Sequence, residues 1–381
     1  MKRHRWHRFI FWVLSYFAGP VVKLLTGFRC RRSKGPDAPA LIIANHNTNL
    51  DPALVGMCFS RQMYFVISEH ALRKGLSSKL LRFVFDPIPI NKMQTDASAI
   101  KEMLRRLKAG YSVCLFAEGN RSYTGVTGPV PPATAKLARI SGADLITVRL
   151  RGGYLSTPRW AARRRKGRIT GEVAGRYAAA DLKAMTNGEV LRIIERDIHE
   201  DAYQRQRENP IRFRGKNLAE HIEVALYLCP KCQKIGTVRS AGDSFSCGCG
   251  LRGKYLETGF LEGDFLPFST VADWDKWQSE QLVSLVKAAG DRPICADARQ
   301  RLFAVKAASG GALLGEGLMQ MDRNVLTCAG RVFPLAEIDR FAIVDQMTLL
   351  FSTKAGNDYE VRSETPRSAS KYLEIFRILC D

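Results

Sequence analysis

The chain has 381 residues, 46% of them hydrophobic, which excludes wholesale disorder and leaves room for two or three domains that each bury a core. Its formal charge of +21 predicts attraction to a polyanion, either nucleic acid or an anionic membrane face. The excess is local: from Cys295 onward Lys and Arg balance Asp and Glu, eleven of each, so residues 1–294 carry all of it.

The chain opens on Met1-Lys2-Arg3-His4-Arg5-Trp6-His7-Arg8 and an apolar run, Phe9–Ala18, which Gly19-Pro20 is expected to break. Ten apolar residues fall short of the ~20 needed to cross a ~30 Å hydrocarbon core. A basic start before an apolar stretch also matches a signal peptide, but six scattered cysteines and one cluster suit a reducing compartment. The favoured reading of residues 1–35 is a monotopic membrane anchor. Trp6, Phe9, Phe11, Trp12, Tyr16 and Phe17 would enter the interface, with the arginines against anionic headgroups; His4 and His7 belong to the basic terminus.

From Pro36 to Leu150 short apolar runs alternate with amphipathic stretches, the rhythm of an α/β sheet covered by helices. Strands are expected at Leu41–Ala44, Tyr64–Ile67, Ile88–Ile90, Val113–Ala117 and Leu145–Leu150. Helices are expected at Pro52–Phe59, at Ala97–Ala109 before Gly110, and at Pro132–Ile140 before Gly142. Glu189–Gln206 reads as one charged helix leading to a linker at Pro210, within a domain taken as 36–222. The basic stretch Pro158–Arg168 reads as a lipid-gripping surface with Trp160 at headgroup depth, against the alternative of a solvated loop.

Cys229-Pro230-Lys231-Cys232 and Cys247-Gly248-Cys249-Gly250, fourteen residues apart, have the spacing of two zinc knuckles, the second in the less usual C-x-C form. Four thiolates suit tetrahedral Zn²⁺ and leave no position for water, so the metal would be structural and residues 223–260 a zinc ribbon. Unbound thiols, or a redox role for Cys229 and Cys232, are the alternatives. Residues 295–381 then show closely spaced strand candidates, Leu302–Lys306, Gly317–Met321, Val325–Cys328, Arg331–Phe333, Phe341–Val344, Thr348–Ser352 and Tyr359–Arg362, with a helix at Ala369–Leu379. That is a small β domain with a C-terminal helix, resembling the pleckstrin-homology layout by pattern.

Two stretches carry candidate chemistry. In Ala44-Asn45-His46-Asn47-Thr48-Asn49-Leu50-Asp51-Pro52, a hydrocarbon strand runs into a histidine with an aspartate five residues on. Asp before Pro is a common helix N-cap, but a histidine outside the carboxyl end of a buried strand stands where open α/β sheets hold ligands. In Phe116-Ala117-Glu118-Gly119-Asn120-Arg121-Ser122, Arg121 can clamp a phosphate and Gly119 permits close backbone approach.

Together these stretches resemble the N-H-x-x-x-x-D and F-P-E-G-T-R-S blocks of the 1-acylglycerol-3-phosphate acyltransferases and related lysophospholipid acyltransferases. The resemblance covers about Val21 to Gly153, with Ala117 for the usual Pro, Asn120 for Thr, and Lys92 where the family has Arg. It implies a mixed sheet covered by helices, with His46 as the base that deprotonates an acceptor hydroxyl and Asp51 as its orienting carboxylate. Lys92, Glu118, Gly119 and Arg121 would hold the acceptor's phosphate, Glu118 by orienting Arg121. The family's V-P-V-like block falls near Ile146–Leu150, where proline is missing and Arg149 and Arg151 appear. The implied reaction moves an acyl chain from acyl carrier protein or coenzyme A to lysophosphatidic acid, giving phosphatidic acid on the cytoplasmic membrane face. Another lysolipid or glycerol 3-phosphate is an alternative acceptor. A basic zinc-ribbon protein that grips nucleic acid is the alternative of another class, although no nucleic-acid partner is expected.

Overall fold

The computed structural model describes residues 2–33, 38–73, 75–91, 97–305 and 311–380. They form two compact units, Met1–Pro158 with Arg164–Arg214, and Arg159–Arg163 with Gly215–Asp381. The first unit grows around strand β2, Ala40–Ala44, whose five apolar residues are all buried. A strand with no polar side chain is stable only between neighbours on both edges and under cover on both faces. β2 has both. It pairs in parallel with β5 (Ser112–Phe116) and β6 (Asp144–Arg151) in a seven-stranded sheet. The other strands are β1 (Arg29–Cys30), β3 (Met63–Ser68), β4 (Ile88–Ile90) and β7 (Thr170–Tyr177), in the order β1-β7-β6-β2-β5-β3-β4. β6 and β7 are antiparallel, which makes the sheet mixed.

Alternate residues of β2 feed two cores. Leu41 and Ile43 pack with Met103 and Leu107 of α4 (Ala97–Lys108), Ala135 of α5 (Pro132–Ile140) and Ile194 of α8 (Asn187–Ile198). Ala40, Ile42 and Ala44 pack with Leu54 and Val55 of α2 (Asp51–Met57). After the short helices α6 (Gly153–Ser156) and α7 (Ala179–Ala184), the expected charged helix Glu189–Gln206 is instead two, α8 and α9 (Ala202–Glu208), separated by residues 199–201. Asp201 starts the second by accepting the Tyr203 and Gln204 N–H groups, so a polar N-cap restarts the helix where an uninterrupted one was expected.

The N-terminal helix overturns a second expectation. Gly19-Pro20 does not break it: α1 runs from Lys2 to Thr26, and over His4–Thr26 it is long and apolar enough to cross a membrane. Pro20 is exposed, so the hydrogen bond it cannot donate is not lost inside a protein core. One side of α1 packs on the first unit. His7 is buried, His4 stacks on Tyr111 at 3.9 Å, its Nδ1 lies 3.0 Å from the Tyr64 hydroxyl, and Phe11 abuts Gly56. The two histidines are thus docking residues rather than parts of a free basic tail. The other side exposes Phe9, Trp12, Tyr16, Phe17, Leu24 and Leu25.

The second unit holds a four-stranded antiparallel sheet, order β11-β10-β9-β8, made of β8 (Val238–Ala241), β9 (Ser244–Cys247), β10 (Arg252–Tyr255) and β11 (Leu261–Glu262). Helix α10 (Val271–Ala288) follows. A seven-stranded antiparallel sheet then comprises β12 (Cys295–Val305), β13 (Ala312–Met321), β14 (Val325–Cys328), β15 (Arg331–Pro334), β16 (Ile338–Val344), β17 (Thr348–Thr353) and β18 (Asp358–Ser363), with α11 (Ser370–Cys380) after it. Trp160 is fully buried, its ring edge-on to Tyr255 at 5.3 Å, and Arg159 donates to the Asp345 and Ile343 carbonyls. The expected lipid-gripping surface is therefore absent at these two residues, because an indole with an aromatic neighbour and a guanidinium with carbonyl partners are core groups.

Where β6 ends, Gly152 has φ +78°, and a Cβ there would lie 2.4 Å from the Arg168 carbonyl oxygen. Gly152→Ala combines a left-handed backbone with overpacking and should cost roughly 2–4 kcal/mol in chemical denaturation. An unchanged midpoint would show that the turn relaxes freely.

Candidate active site

β2 ends in hydrocarbon, and the next residue completes its pairing with a side chain. The Asn45 amide donates to the Leu150 carbonyl at 2.8 Å and its Oδ1 accepts the Leu150 N–H at 2.7 Å, as a peptide group would. The backbone is then free to turn. His46 emerges partly exposed, with its ring stacked on Phe116 at 4.4 Å and Nδ1 2.8 Å from Asp51 Oδ2.

Asp51 is completely buried. It is not the helix N-cap expected from Asp-Pro: Leu50 occupies that position and Asp51 is the first helical residue. Its carboxylate turns back to accept the N–H groups of Asn47 and Thr48 at Oδ2 and the Thr48 hydroxyl at Oδ1, 2.7 Å away. A carboxylate so fixed holds its proton donor, His46 Nδ1–H, and leaves Nε2 with the lone pair of a base.

Glu118 ties this loop to the next. Oε1 accepts the His46 N–H at 2.7 Å and Oε2 the Gly128 N–H at 2.8 Å. Burial pushes the Glu118 carboxyl up to about 7; the Gly128 and His46 N–H groups pull it down, and the Asp51 charge raises it further. Ser122 makes a second tie, donating its N–H to the His46 carbonyl at 3.0 Å. Gly119 has φ +68° with open space where a Cβ would be, so the turn needs glycine for its backbone angle. Arg121 lies half-buried between Gly119 and Ser122. The structure thus brings His46, Asp51, Glu118, Gly119 and Arg121 to neighbouring strand ends, while Lys92 lies outside the described residues.

Several positioning residues escaped the sequence reading. Thr48 and Gly128 supply donors to the two carboxylates. Gly153 lies against the histidine loop, since a Cβ there would stand 3.0 Å from Asn47 Cβ. Thr48, three residues before Asp51, has the spacing of a side-chain turn and was the one local signal. Arg149 and Arg151 line a cavity of about 520 Å³ with Arg168, His199, Glu200 and Arg205. Arg149 donates to the Asp197 and Arg196 carbonyls, while Arg151 pairs with Glu172 at 3.0 Å and lies 3.7 Å from Glu200.

Cys229, Cys232, Cys247 and Cys249 also come together, with sulfurs all within 4.8 Å of one another, a set able to hold one metal ion.

Residues 27–151 match the family model described as Acyltransferase, and the histidine–aspartate pair and Glu118 fall inside that span. A stretch of 124 residues is 27% identical to a "Probable 1-acyl-sn-glycerol-3-phosphate acyltransferase" of Mycoplasma genitalium, covering 31% of this chain and 46% of that protein. The chain thus spans about half the length of the curated relative. Among solved structures, it is similar to the 1-acyl-sn-glycerophosphate (LPA) acyltransferase PlsC of Thermotoga maritima, with a TM-score of 0.42 and 18% identity over 49% of this chain and 78% of that one.

The raised Glu118 pKa has a sign that can be tested. Between about pH 4.5 and 7 the folded protein holds a proton that the unfolded chain has released, so this contribution is complete below pH 4.5 and disappears as pH rises through 7. Glu118→Gln removes the titration. From about pH 4.5 to 8, the stability of wild type relative to the variant should fall by roughly 3 kcal/mol; parallel stability curves would show an ordinary carboxyl.

Proposed function

We propose that the protein is a membrane-associated glycerolipid O-acyltransferase that acylates the free hydroxyl of 1-acylglycerol 3-phosphate to give phosphatidic acid. The observation that carries this reading is the His46–Asp51 pair at the end of β2, 2.8 Å apart and tied by the His46 backbone to Glu118. An acceptor hydroxyl is a poor nucleophile at neutral pH, and a positioned imidazole removes its proton as attack begins. In the proposed reaction His46 Nε2 takes that proton, and the alkoxide oxygen adds to the carbonyl carbon of an acyl thioester. The tetrahedral intermediate collapses with loss of the thiolate of acyl carrier protein or coenzyme A, which regains the proton from the imidazolium.

Arg121, with Lys92, is assigned to the acceptor's phosphate, where a guanidinium offers two parallel donors. Both Glu118 oxygens accept backbone N–H groups, so Glu118 is assigned as a positioning residue that sets the distance between the base and the phosphate loop.

The aromatic, exposed side of α1, together with exposed Leu80, Phe83 and Phe85 of α3 (Gly75–Phe85), supports a helix lying in a membrane interface, which this reading assigns to the cytoplasmic face. Its opposite side is occupied by the first unit, through His4, His7 and Phe11, which favours lying over crossing.

The direct test is transfer of a labelled acyl group from acyl carrier protein or coenzyme A to lysophosphatidic acid in vesicles. His46→Ala should lower the rate about 10²–10⁴-fold and leave vesicle binding unchanged. Equal rates would remove His46 as the base. Activity only with another lysolipid or glycerol 3-phosphate would move the acceptor, and silence with all of them would favour the nucleic-acid-binding alternative. A separate variant tests the anchor: Phe17→Glu with Leu24→Glu should weaken partition into anionic vesicles at least tenfold, about 1.4 kcal/mol or more, and unchanged partition would exclude this helix face.

A further inference from the structure

The four-cysteine cluster is the motif of this chain that acyl transfer does not use, and it lies outside residues 27–151. The sulfurs approach in two cross-pairs, Cys229 to Cys249 at 3.6 Å and Cys232 to Cys247 at 3.7 Å. Each pair joins one knuckle to the other. A disulfide would bring sulfurs to about 2.05 Å, whereas tetrahedral thiolates bonded at about 2.3 Å to one zinc stand about 3.8 Å apart along every edge. The observed separations fit the second arrangement.

The surroundings are those of a built site. The Thr237 hydroxyl lies 3.3 Å from the Cys247 sulfur and 3.8 Å from that of Cys232, reaching one ligand of each knuckle. Such bonds orient sulfur and disperse the charge of a metal-bound thiolate. Each knuckle closes on a left-handed residue: Gln233 (φ +56°) donates to the Cys229 carbonyl, and Gly250 (φ +90°) to the Cys247 carbonyl, both at 2.9 Å. A divalent ion with four thiolates carries a net charge of −2, and the Lys231 ammonium lies beside Gly250 at the rim.

We propose that Cys229, Cys232, Cys247 and Cys249 bind one Zn²⁺ with no open coordination position, as the staple of the second unit. The strands β8 to β11 have only two to four residues each, too short to supply an adequate core alone. The cage is fixed to α10 on its chain-entry side. Trp274 Nε1 donates to the Leu228 carbonyl at 2.8 Å, and the Gln278 side chain accepts the Tyr227 N–H and donates to the Ala225 carbonyl. On the sheet side, Phe245 of β9 packs edge-on to the same Trp274. Zinc therefore closes a loop whose two ends meet at one buried indole.

The experiment uses the full chain purified without added metal. Elemental analysis should give one zinc per chain. A thiol reagent under native conditions should leave the four cage thiols unreactive until zinc is displaced, and their modification should release one zinc to a colorimetric chelator. Replacement by Co²⁺ should give thiolate-to-cobalt charge-transfer and tetrahedral ligand-field bands. Cys249→Ser should lose at least half the zinc; if it does not fold, the cobalt spectrum of the wild-type chain decides. After chelation, amide exchange should quicken across 229–255. Metal-free folded protein, a cage oxidised to disulfides, or iron in place of zinc would each overturn the proposal.

Discussion

The buried carboxylate of Asp51 is the constraint on which the candidate site depends. It accepts from the His46 ring, from two backbone N–H groups and from a hydroxyl, and it is closed off from water. An isolated charge in such a place would be very costly, so the loop between β2 and α2 folds into the one shape that surrounds it with donors. The imidazole is one of those donors. Its orientation is consequently not a separate achievement of the fold but part of how the carboxylate is satisfied.

The same economy extends outward through Glu118, which binds the loop after β2 to the loop after β5 through backbone groups alone. Neighbouring parallel strands deliver these loops side by side at the carboxyl ends of the central strands, and side-chain acceptors then fix their separation. The two motifs are seventy residues apart in sequence, yet the ring of His46 rests on Phe116 and its carbonyl on Ser122. What the apolar strands contribute is proximity; what the carboxylates contribute is distance and angle.

Strands with continuous or alternating apolar residues were legible in the sequence, and β2, β14 and β17 lie within a residue or so of expectation. β7 was not. Its sequence carries Gly171 and Gly175, which dilute the apolar alternation of a strand, but the structure needs them small: a Cβ at the first would meet Cys58 and the Phe28 ring within 3 Å, and at the second Asp197. Helix α10 was missed because Gln278, fully buried, interrupts the apolar stripe of Val271, Trp274, Leu282 and Val286; the amide is there to bond the chain before Cys229. At the site, His46 and Asp51 were visible because their chemistry is unusual at a strand end. Asn45 carried no such mark, since acting as a substitute peptide group requires knowing where Leu150 lies. The continuity of α1 through Gly19-Pro20 was hidden for a related reason: local breaking signals yield where the lost hydrogen bond faces outward.

The division into units has a topological corollary. The first unit's chain passes into the second for five residues, Arg159–Arg163, and returns before leaving for good after Arg214. The connectivity is therefore that of a stitch rather than a bead on a string. A polypeptide ended after Arg214 would contain every residue of the candidate site and yet carry Trp160 stripped of Tyr255, its aromatic neighbour, and Arg159 of its carbonyl acceptors. Such a fragment would lose an aromatic neighbour of a fully buried indole and two carbonyl acceptors of a buried guanidinium at a single cut. For this chain, the compact unit that holds the candidate site is longer than the matched segment, residues 27–151.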